Sequence, residues 1–230
     1  MARAQLPDPP PAIEFVFKSI PITYMLQRWA NVLSRPEFYH AYQSFGGFFQ
    51  ARLKAFGDYL DFTTIHRIFD IGCGPGHISA KIPPSVDYIG FDSDERYIQF
   101  ANARFGGPKR RFVKRLFDQT AADDFGHPDL IMLNGLLHHL DDGAVRTLLL
   151  DAFNVLAPGG VVFTLDGCFV ERQNPIGRYL LKNDRGEFVR TEQGYRALIP
   201  SEFGKIDVYV RSNMSRVPYT FIINRLEKLR

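Results

Sequence analysis

The sequence predicts an α/β fold built on a doubly wound, mostly parallel sheet with helices on both faces. From about residue 66 onward, short apolar runs rich in Ile, Val and Phe alternate with longer amphipathic stretches, which is the pattern of βαβ units around a buried sheet. A glycine-rich turn follows the first run, and the last two runs are near enough in sequence to pair as antiparallel neighbours. One wound sheet with an antiparallel edge is therefore the expected core.

Length and composition are those of a globular protein with one main domain. The chain has 230 residues, of which 45% are hydrophobic and 23% charged, and these values argue against disorder and against a coiled coil. Its 28 basic and 25 acidic residues leave a formal net charge of +3. That balance is too even for a protein that holds polyanions by broad electrostatics, so we expect a small-molecule substrate and no nucleic-acid partner.

Cysteine usage and hydropathy bear on the compartment. Cys73 and Cys168 form neither a zinc-binding pair nor a C-x-x-C redox pair, so we expect no metal and a reduced, cytoplasmic setting. No run approaches the roughly 18 apolar residues of a transmembrane helix. The first residues lack the apolar segment of a secretory signal, and we therefore expect neither export nor an integral membrane segment.

The sequence predicts a division near residue 60. Residues 1–60 hold a proline-rich lead and then helix-like stretches from Ile22 to about Leu60, which we expect to form a cap on the substrate side. Its aromatic residues line an apolar substrate wall or, alternatively, are ordinary core. They are Phe38, Tyr39, Tyr42, Phe45, Phe48 and Phe49. Residues 61–230 form the main domain, with an insertion over 167–200 that is too long for a plain connection.

Strands and helices alternate through the main domain. The predicted strands are RIFDIG (67–72), DYIGFD (87–92), RFVKRL (111–116), DLIMLN (129–134) and GVVFTLD (160–166). The predicted helices between them are HISAKI, DERYIQFANARF and GAVRTLLLDAFNVLA. The antiparallel pair is predicted at KIDVYVRS (205–212) and YTFIINRLEK (219–228).

The strongest functional signal is IFDIGCGPGHIS, an apolar strand that enters a turn containing Gly72, Gly74 and Gly76. Glycine allows the backbone to turn sharply and lets a ligand approach the main chain without a Cβ in the way. A dinucleotide-binding turn of the form G-x-G-x-x-G would have glycine where His77 stands, which argues against a pyrophosphate site. The alternative is a turn whose glycines serve chain geometry alone.

Together with Asp70 on the preceding strand, this turn resembles the first motif of class I S-adenosylmethionine-dependent methyltransferases. DLIMLNGLLHHLDD, the next helix and LAPGGVVFTLD resemble later motifs of that family, so the resemblance spans residues 66–166. It implies a Rossmann-like, seven-stranded sheet whose last strand is antiparallel, with S-adenosylmethionine as the cofactor. It also implies that a set of loop residues surrounds the amino-acid end of the cofactor, with Asn134 and Gly135 beside its methionine part. The loop residues are Asp70, Gly72, Cys73, Gly74 and Gly76.

The adenosine end of the cofactor is expected near the ends of the second and third strands. Asp92 lies about 20 residues beyond the first glycine, where a carboxylate can accept hydrogen bonds from both ribose hydroxyls. We place Ser93 with it, although Ser93 or Asp94 can instead cap the following helix. Family members often carry an acid after the third strand, and Asp118 is the nearest candidate here; alternatively it is a solvated loop residue.

Catalytic candidates follow the fourth and fifth strands. His138, His139 and Asp166 lie at strand ends that meet at the same edge of the sheet as the cofactor, and a histidine oriented by an aspartate is a sound general base. We prefer His138 to His139, because neighbouring helical residues point in different directions. The alternative is that both histidines only pack or cap. A base of this kind predicts a rate that rises with pH through about 6 to 7.5.

The predicted reaction is methylation of a small-molecule hydroxyl. LHHL with an Asp after the fifth strand is similar to the pattern of sugar and natural-product O-methyltransferases, so the acceptor is expected to be a sugar, a lipid-linked compound or a natural product. C- or N-methylation of a small molecule, or a non-catalytic S-adenosylmethionine-binding regulatory protein, are the alternatives. NGLL follows the fourth strand where nucleic-acid base amino methyltransferases carry N-P-P-Y or D-P-P-Y, which disfavours that substrate class.

Overall fold

A computed structural model of the protein describes residues 47–184 and 186–229. The proline-rich lead and the helical stretches predicted before residue 47 lie outside the described residues. Phe38, Tyr39, Tyr42 and Phe45 lie there too, so an aromatic substrate wall built from them stays a prediction, as does the division of the chain near residue 60.

The centre of the described chain is a sheet whose first five strands are those predicted. They are β1 Arg67–Ile71, β2 Asp87–Asp92, β3 Arg110–Lys114, β4 Leu130–Asn134 and β5 Val161–Phe169. Each pairs in parallel with its neighbours in this group. β1, β4 and β5 are buried at nearly every position, because helices cover both faces, and they therefore appear in the sequence as continuous apolar runs.

The strand order places a reversal between β1 and β4. The sheet runs β3-β2-β1-β4-β5-β8-β7, with β7 at Lys205–Arg211 and β8 at Phe221–Glu227. β8 is antiparallel to both β5 and β7. The predicted doubly wound sheet with an antiparallel last strand is confirmed. In open sheets of this kind, ligands bind at the carboxyl ends of the strands where the order reverses.

Helices pack on both faces of the sheet. They are α1 Phe48–Tyr59, α2 Glu95–Phe105, α3 Ala121–Phe125, α4 Asp142–Val155, α5 Pro175–Lys182 and α6 Glu192–Arg196. Successive strand residues point to opposite faces of the sheet and belong to two apolar clusters. One cluster contains residues of α1 and the other contains residues of α4. Phe56 of α1 meets Phe163 of β5 edge to face, 5.7 Å between ring centroids, so α1 belongs to the core. None of the described helices is both long and apolar enough to cross a bilayer.

Local structure departs from the prediction in three places. HISAKI forms a 3-10 helix, His77–Lys81, in place of an α-helix. β5 continues past residue 166 to Phe169, where it pairs with a two-residue strand, β6 Arg190–Thr191. The predicted insertion contains α5, β6 and α6, and a strand as short as β6 carries no periodic pattern from which it can be predicted.

Candidate active site

The glycine turn after β1 is fixed by its backbone conformation. Gly72, Gly74 and Gly76 have φ values of 70°, 54° and 75°, in the left-handed region that favours glycine. The amide groups of Gly72 and Cys73 both donate to the carbonyl of Phe91 on β2, at 2.8 and 3.0 Å. The turn is therefore held against the neighbouring strand.

The three glycines are needed for different reasons. A Cβ at Gly76 would lie 2.6 Å from the Phe112 ring and 2.9 Å from Cβ of Ala101, so its small size serves packing between the turn, β3 and α2. A Cβ at Gly72 would approach Leu136 at 3.1 Å. Nothing among the described residues lies within 4 Å of a Cβ at Gly74, so this glycine faces open space. Only Gly74 offers bare backbone to a ligand.

Asp92, at the end of β2, connects the glycine turn to the start of α2. Its Oδ2 accepts a hydrogen bond from the Gly74 amide at 2.9 Å, and its Oδ1 accepts one from the Asp94 amide at 2.8 Å. The helix cap is Asp94, whose carboxylate accepts from the Arg96 amide. Ser93 is exposed between them, so its predicted part in cofactor binding stays a prediction.

A pocket of about 450 Å³, partly open to solvent, lies at the carboxyl ends of β1 and β4. It contains five of the residues predicted to bind cofactor. Its lining is Phe49, Arg52, Asp70, Gly72, Cys73, Gly74, Pro75, His77, Ile78 and Asn134. Gly76 and Asp92 flank the lining through the glycine turn, and Gly135 follows Asn134. The aromatic wall predicted from the N-terminal part has one described member in the lining, Phe49.

Asp118 is not part of this lining. Its Oδ1 accepts hydrogen bonds from the Thr120 amide and from Arg115, at 2.9 and 2.7 Å. These local contacts, the Thr120 hydroxyl first among them, lower the pKa of Asp118. Its described contacts order its own turn, and its predicted part in cofactor binding stays a prediction.

Opposite charges meet at the floor of the pocket. Asp70 on β1 is 2% exposed and accepts a hydrogen bond from the Tyr88 hydroxyl. Burial raises its pKa to about 6, against the lowering effects of that hydroxyl and of the charge of Arg52. The Asn134 amide lies close enough to lower the pKa of Asp70 further, yet among the described residues neither of its polar atoms has a partner in hydrogen-bonding geometry.

Arg52 is a pocket residue that sequence reasoning missed. It projects from α1, and a Cβ at Gly135 would lie 3.7 Å from its Nη2. In the sequence it is one charged residue on an amphipathic helix, a pattern that indicates a solvated face. Only the packing of α1 on the sheet brings it to the carboxyl end of β4.

His138 and Asp166 are brought together as predicted. The His138 Nδ1 lies 2.8 Å from Oδ1 of Asp166, and the His138 amide donates to the same oxygen at 3.3 Å. Both side chains are buried, with 6% and 1% of each residue exposed. The pair lies near the pocket, because a Cβ at Gly135 would lie 3.7 Å from both Cε1 of His138 and Nη2 of Arg52, and Arg52 lines the pocket.

Asp184 faces the second ring nitrogen of His138. Its Oδ1 lies 3.3 Å from Nε2, and its Oδ2 accepts a hydrogen bond from the Tyr219 hydroxyl at 2.9 Å. Burial alone would lower the pKa of His138, but Asp166 and Asp184 outweigh it and raise this pKa to about 9. The same contacts hold the pKa of Asp184 at about 2, against the effect of burial. In this arrangement His138 is an imidazolium at neutral pH, which differs from the expected titration near pH 6 to 7.5.

His139 lies beside His138. Its residue is exposed, and its ring centroid is 4.3 Å from that of His138 with the planes tilted by 38°. The two residues lie in the 3-10 turn Leu137–His139 and differ in burial, since His138 is buried and His139 is exposed. The preference for His138 rests on its contact with Asp166.

Comparison with known sequences agrees with this arrangement. Residues 69–162 match a family model described as a methyltransferase domain. An uncharacterized methyltransferase of Mycobacterium tuberculosis (strain H37Rv) is 27% identical over 96 residues, which cover 41% of this chain and 47% of that protein. The match thus spans about half the length of this curated relative.

Solved structures share the fold at low sequence identity. The N-methyltransferase NodS from Bradyrhizobium japonicum WM9 superposes with a TM-score of 0.57 and 16% identity over 79% of this chain and 93% of that chain. Human N-acetylserotonin methyltransferase, solved in complex with S-adenosylmethionine, gives a TM-score of 0.63 and 20% identity over 85% of this chain and 55% of that chain. Residues 69–162 thus match a methyltransferase domain, and the described sheet shares its fold with these methyltransferases, in agreement with the predicted class.

Proposed function

We propose that the protein is an S-adenosylmethionine-dependent methyltransferase that acts on a hydroxyl group of a small molecule, such as a sugar, a lipid-linked compound or a natural product. The observation that carries this proposal is the position of the His138–Asp166 pair, which lies near the pocket, beside Gly135. A hydroxyl needs to lose its proton as the methyl group arrives, and a histidine paired with a carboxylate serves that purpose.

The charges of the pocket suit the amino-acid end of the cofactor. Arg52 can bind the methionine carboxylate, and Asp70 the ammonium group beside it. The buried amide atoms of Asn134 would gain the partners that they lack among the described residues. In this arrangement the ribose would contact the backbone at Gly74, and its hydroxyls would donate to the carboxylate of Asp92. When bound, the cofactor supplies an electrophilic methyl group on a sulfonium that leaves as a neutral thioether.

The protein's own part in the reaction is alignment and removal of a proton. The acceptor hydroxyl must approach the methyl group in line with the carbon–sulfur bond, and its proton must pass to a base within hydrogen-bond reach. Nε2 of His138, the ring nitrogen that does not contact Asp166, is the atom that would take this proton. Asp166 orients the ring through Nδ1 and stabilises the imidazolium that forms.

Binding of S-adenosylhomocysteine tests the cofactor assignment. We expect it to raise the melting temperature of the protein, and Asp92→Ala to weaken its binding by about 1–3 kcal/mol, because the ribose hydroxyls lose their acceptor. Isothermal calorimetry measures the affinity. Asp94→Ala is the matched control, since it removes a carboxylate that caps α2 at the same strand end. Equal affinity for NAD, or no loss in Asp92→Ala, contradicts the assignment.

Transfer to an acceptor tests the base. With labelled S-adenosylmethionine and a panel of hydroxylated metabolites, His138→Ala should lower kcat by about 10²- to 10⁴-fold while cofactor affinity changes less than about threefold. Asp166→Asn should lower kcat less, and the double variant should be no worse than His138→Ala, since the pair acts as one unit. A full rate in His138→Ala with loss in His139→Ala assigns the base to His139. Full rates in both mean transfer by proximity alone, which suits an amine acceptor.

A further inference from the structure

In the described arrangement His138 has no ring nitrogen available for a substrate. A general base must come within about 2.6–3.2 Å of the oxygen whose proton it takes. Nδ1 is occupied by Asp166, and Oδ1 of Asp184 lies 3.3 Å from Nε2, in the place that an acceptor oxygen would need. Two oxygens cannot share that place, so the proposed reaction requires Asp184 to move.

The chain after α5 holds Asp184 in this place; we call residues 183–184 and 186–190 the cap segment. The Tyr219 hydroxyl binds one oxygen of Asp184, and the Gly186 amide binds the other at 3.2 Å. The Phe188 amide donates to the His138 carbonyl at 2.9 Å. A Cβ at Gly186 would overlap both the ring and the carbonyl of His138, so only glycine allows this approach.

A second anchor holds the cap segment without touching the His138 ring. The Arg190 guanidinium donates to the carbonyls of Leu137 and Leu140, at 3.0 and 2.7 Å, and pairs with Asp142 at 2.7 Å. The segment can therefore remain attached to the sheet edge when the Asp184 side chain leaves Nε2.

We propose that Asp184 is a positioning residue that occupies Nε2 of His138 in the empty enzyme and gives up this place to the acceptor hydroxyl, so that acceptor binding frees the base. The proposal rests on the proposed function. It assigns to Asp184 a role opposite to that of Asp166: Asp166 stays with Nδ1 throughout, whereas Asp184 departs before the methyl group is transferred.

The charges around His138 explain why departure of Asp184 matters. The titratable groups that face the ring are Asp166 from β5, Asp184 from the cap segment and the neighbouring His139; Tyr219 acts through Asp184. Loss of one carboxylate contact lowers the pKa of His138, and the imidazolium gives its Nε2 proton to water. The neutral ring then takes the hydroxyl proton. The oxygen–methyl bond forms as the carbon–sulfur bond breaks, and the bonding pair remains on sulfur.

Titration of the His138 ring by NMR in the cofactor-free protein is the first test, and it needs no methyl transfer. The parent should titrate near pH 9, and Asp184→Asn should move this value toward the ordinary histidine pKa of about 6.5. Asp142→Asn is the control, because it breaks an ion pair of the cap segment that does not touch His138. Ligand-type atoms of His138, His139 and Asp184 lie within 4.8 Å of one another, so the buffers contain EDTA to keep stray metal from Nε2.

Kinetics with the acceptor that gives transfer in the labelled-cofactor assay is the second test. The pH profile of kcat/KM reports the free enzyme and that of kcat the substrate complex. For the parent, we expect the limb in the pH profile of kcat/KM to lie near pH 9 and the limb in the profile of kcat to lie well below pH 9. For Asp184→Asn, both limbs should lie at the lower pH. Asp184→Glu should restore the separation.

Two outcomes overturn the proposal. An unchanged His138 titration in Asp184→Asn shows that Asp184 does not control Nε2. Coincident limbs near pH 9 in the parent show that Asp184 remains on His138 during turnover, as a fixed second carboxylate. Failure of the proposed function is a different result, in which no hydroxyl acceptor is methylated while the NMR titration still reports on Asp184.

Discussion

The lining of the pocket holds one cationic and one anionic side chain, which are opposite in charge to the carboxylate and the ammonium group of an amino acid. Arg52 from α1 and Asp70 from β1 lie on the same lining, one cationic and one anionic. Asp70 is buried, and burial raises its pKa to about 6 although the Tyr88 hydroxyl and the charge of Arg52 act in the opposite direction. A ligand with an ammonium and a carboxylate group would find a side chain of opposite charge for each group in this lining.

Arg52→Ala tests this distribution with two ligands. S-adenosylhomocysteine has the amino-acid end, whereas 5′-methylthioadenosine lacks it. We expect the substitution to weaken binding of the first by about 1.5–3 kcal/mol, the range for a hydrogen bond to a charged group, and to leave the second nearly unchanged. Calorimetry compares them. Lys54→Ala, on the exposed side of the same helix, is the control. Equal losses for both ligands would show that Arg52 only shapes the fold.

Most of the candidate site was predictable because its residues directly follow strands. Asp70, Asp92, Asn134 and Asp166 lie in or at the ends of apolar runs, and parallel strands bring their carboxyl ends to one edge. Arg52 and Asp184 were missed for a common reason. Each lies on an element whose position depends on tertiary packing rather than on a local pattern, so the sequence around it shows no sign of the contact.

At the scale of secondary-structure elements, the glycines of the turn between β1 and the 3-10 helix differ most clearly in their roles. Gly74 faces open space, and Gly76 packs against Phe112 and Ala101. The sequence presents the two glycines as equivalent members of one motif. Since both have positive φ, the backbone conformation does not separate their roles; the surroundings of each Cβ position do.

Valine substitutions at Gly74 and at Gly76 should have different effects, the first on ligand binding and the second on the stability of the fold. Gly74→Val should leave a folded protein that does not bind S-adenosylhomocysteine, because the side chain enters the space where the ligand meets the backbone; the positive φ of this position strains valine, so a moderate loss of stability accompanies it. Gly76→Val should lower the melting temperature far more, because its side chain collides with Phe112 and Ala101. Circular dichroism and calorimetry on both variants give the two readings. Normal ligand binding by Gly74→Val would place the cofactor elsewhere.

The strands were predicted better than the connections between them. β1, β2, β4 and β5 are buried at nearly every position, so each appears in the sequence as a mostly apolar run whose ends are visible. The 3-10 helix at His77–Lys81, the short β6 and the 3-10 turn at Leu137–His139 involve few residues, and tertiary contacts decide their form. The form of these short elements was therefore not predictable from a periodic pattern.

At the scale of the whole protein, the buried Asp70 that is proposed to bind the cofactor lowers the free energy of unfolding at neutral pH. Asp70 is enclosed in the core face of the sheet, where an ionised carboxylate is costly unless a partner compensates it. Its pKa is raised from 3.8 to about 6, so the folded state holds its proton more tightly than the unfolded chain does. The resulting penalty is absent below pH 3.8, grows as the pH rises, and is fully present above about pH 6.

Asp70→Asn should therefore stabilise the cofactor-free protein at pH 7 and impair cofactor binding. We expect the free energy of unfolding to rise by about 1–3 kcal/mol at pH 7 and by much less at pH 4, where the parent carboxyl is largely protonated. Affinity for S-adenosylhomocysteine should fall at least about tenfold, because the ammonium group loses its counter-charge. Thermal unfolding at the two pH values, with and without ligand, measures both effects. A variant less stable than the parent at pH 7 would mean that Tyr88 and Arg52 already compensate the carboxylate and that Asp70 is a structural residue.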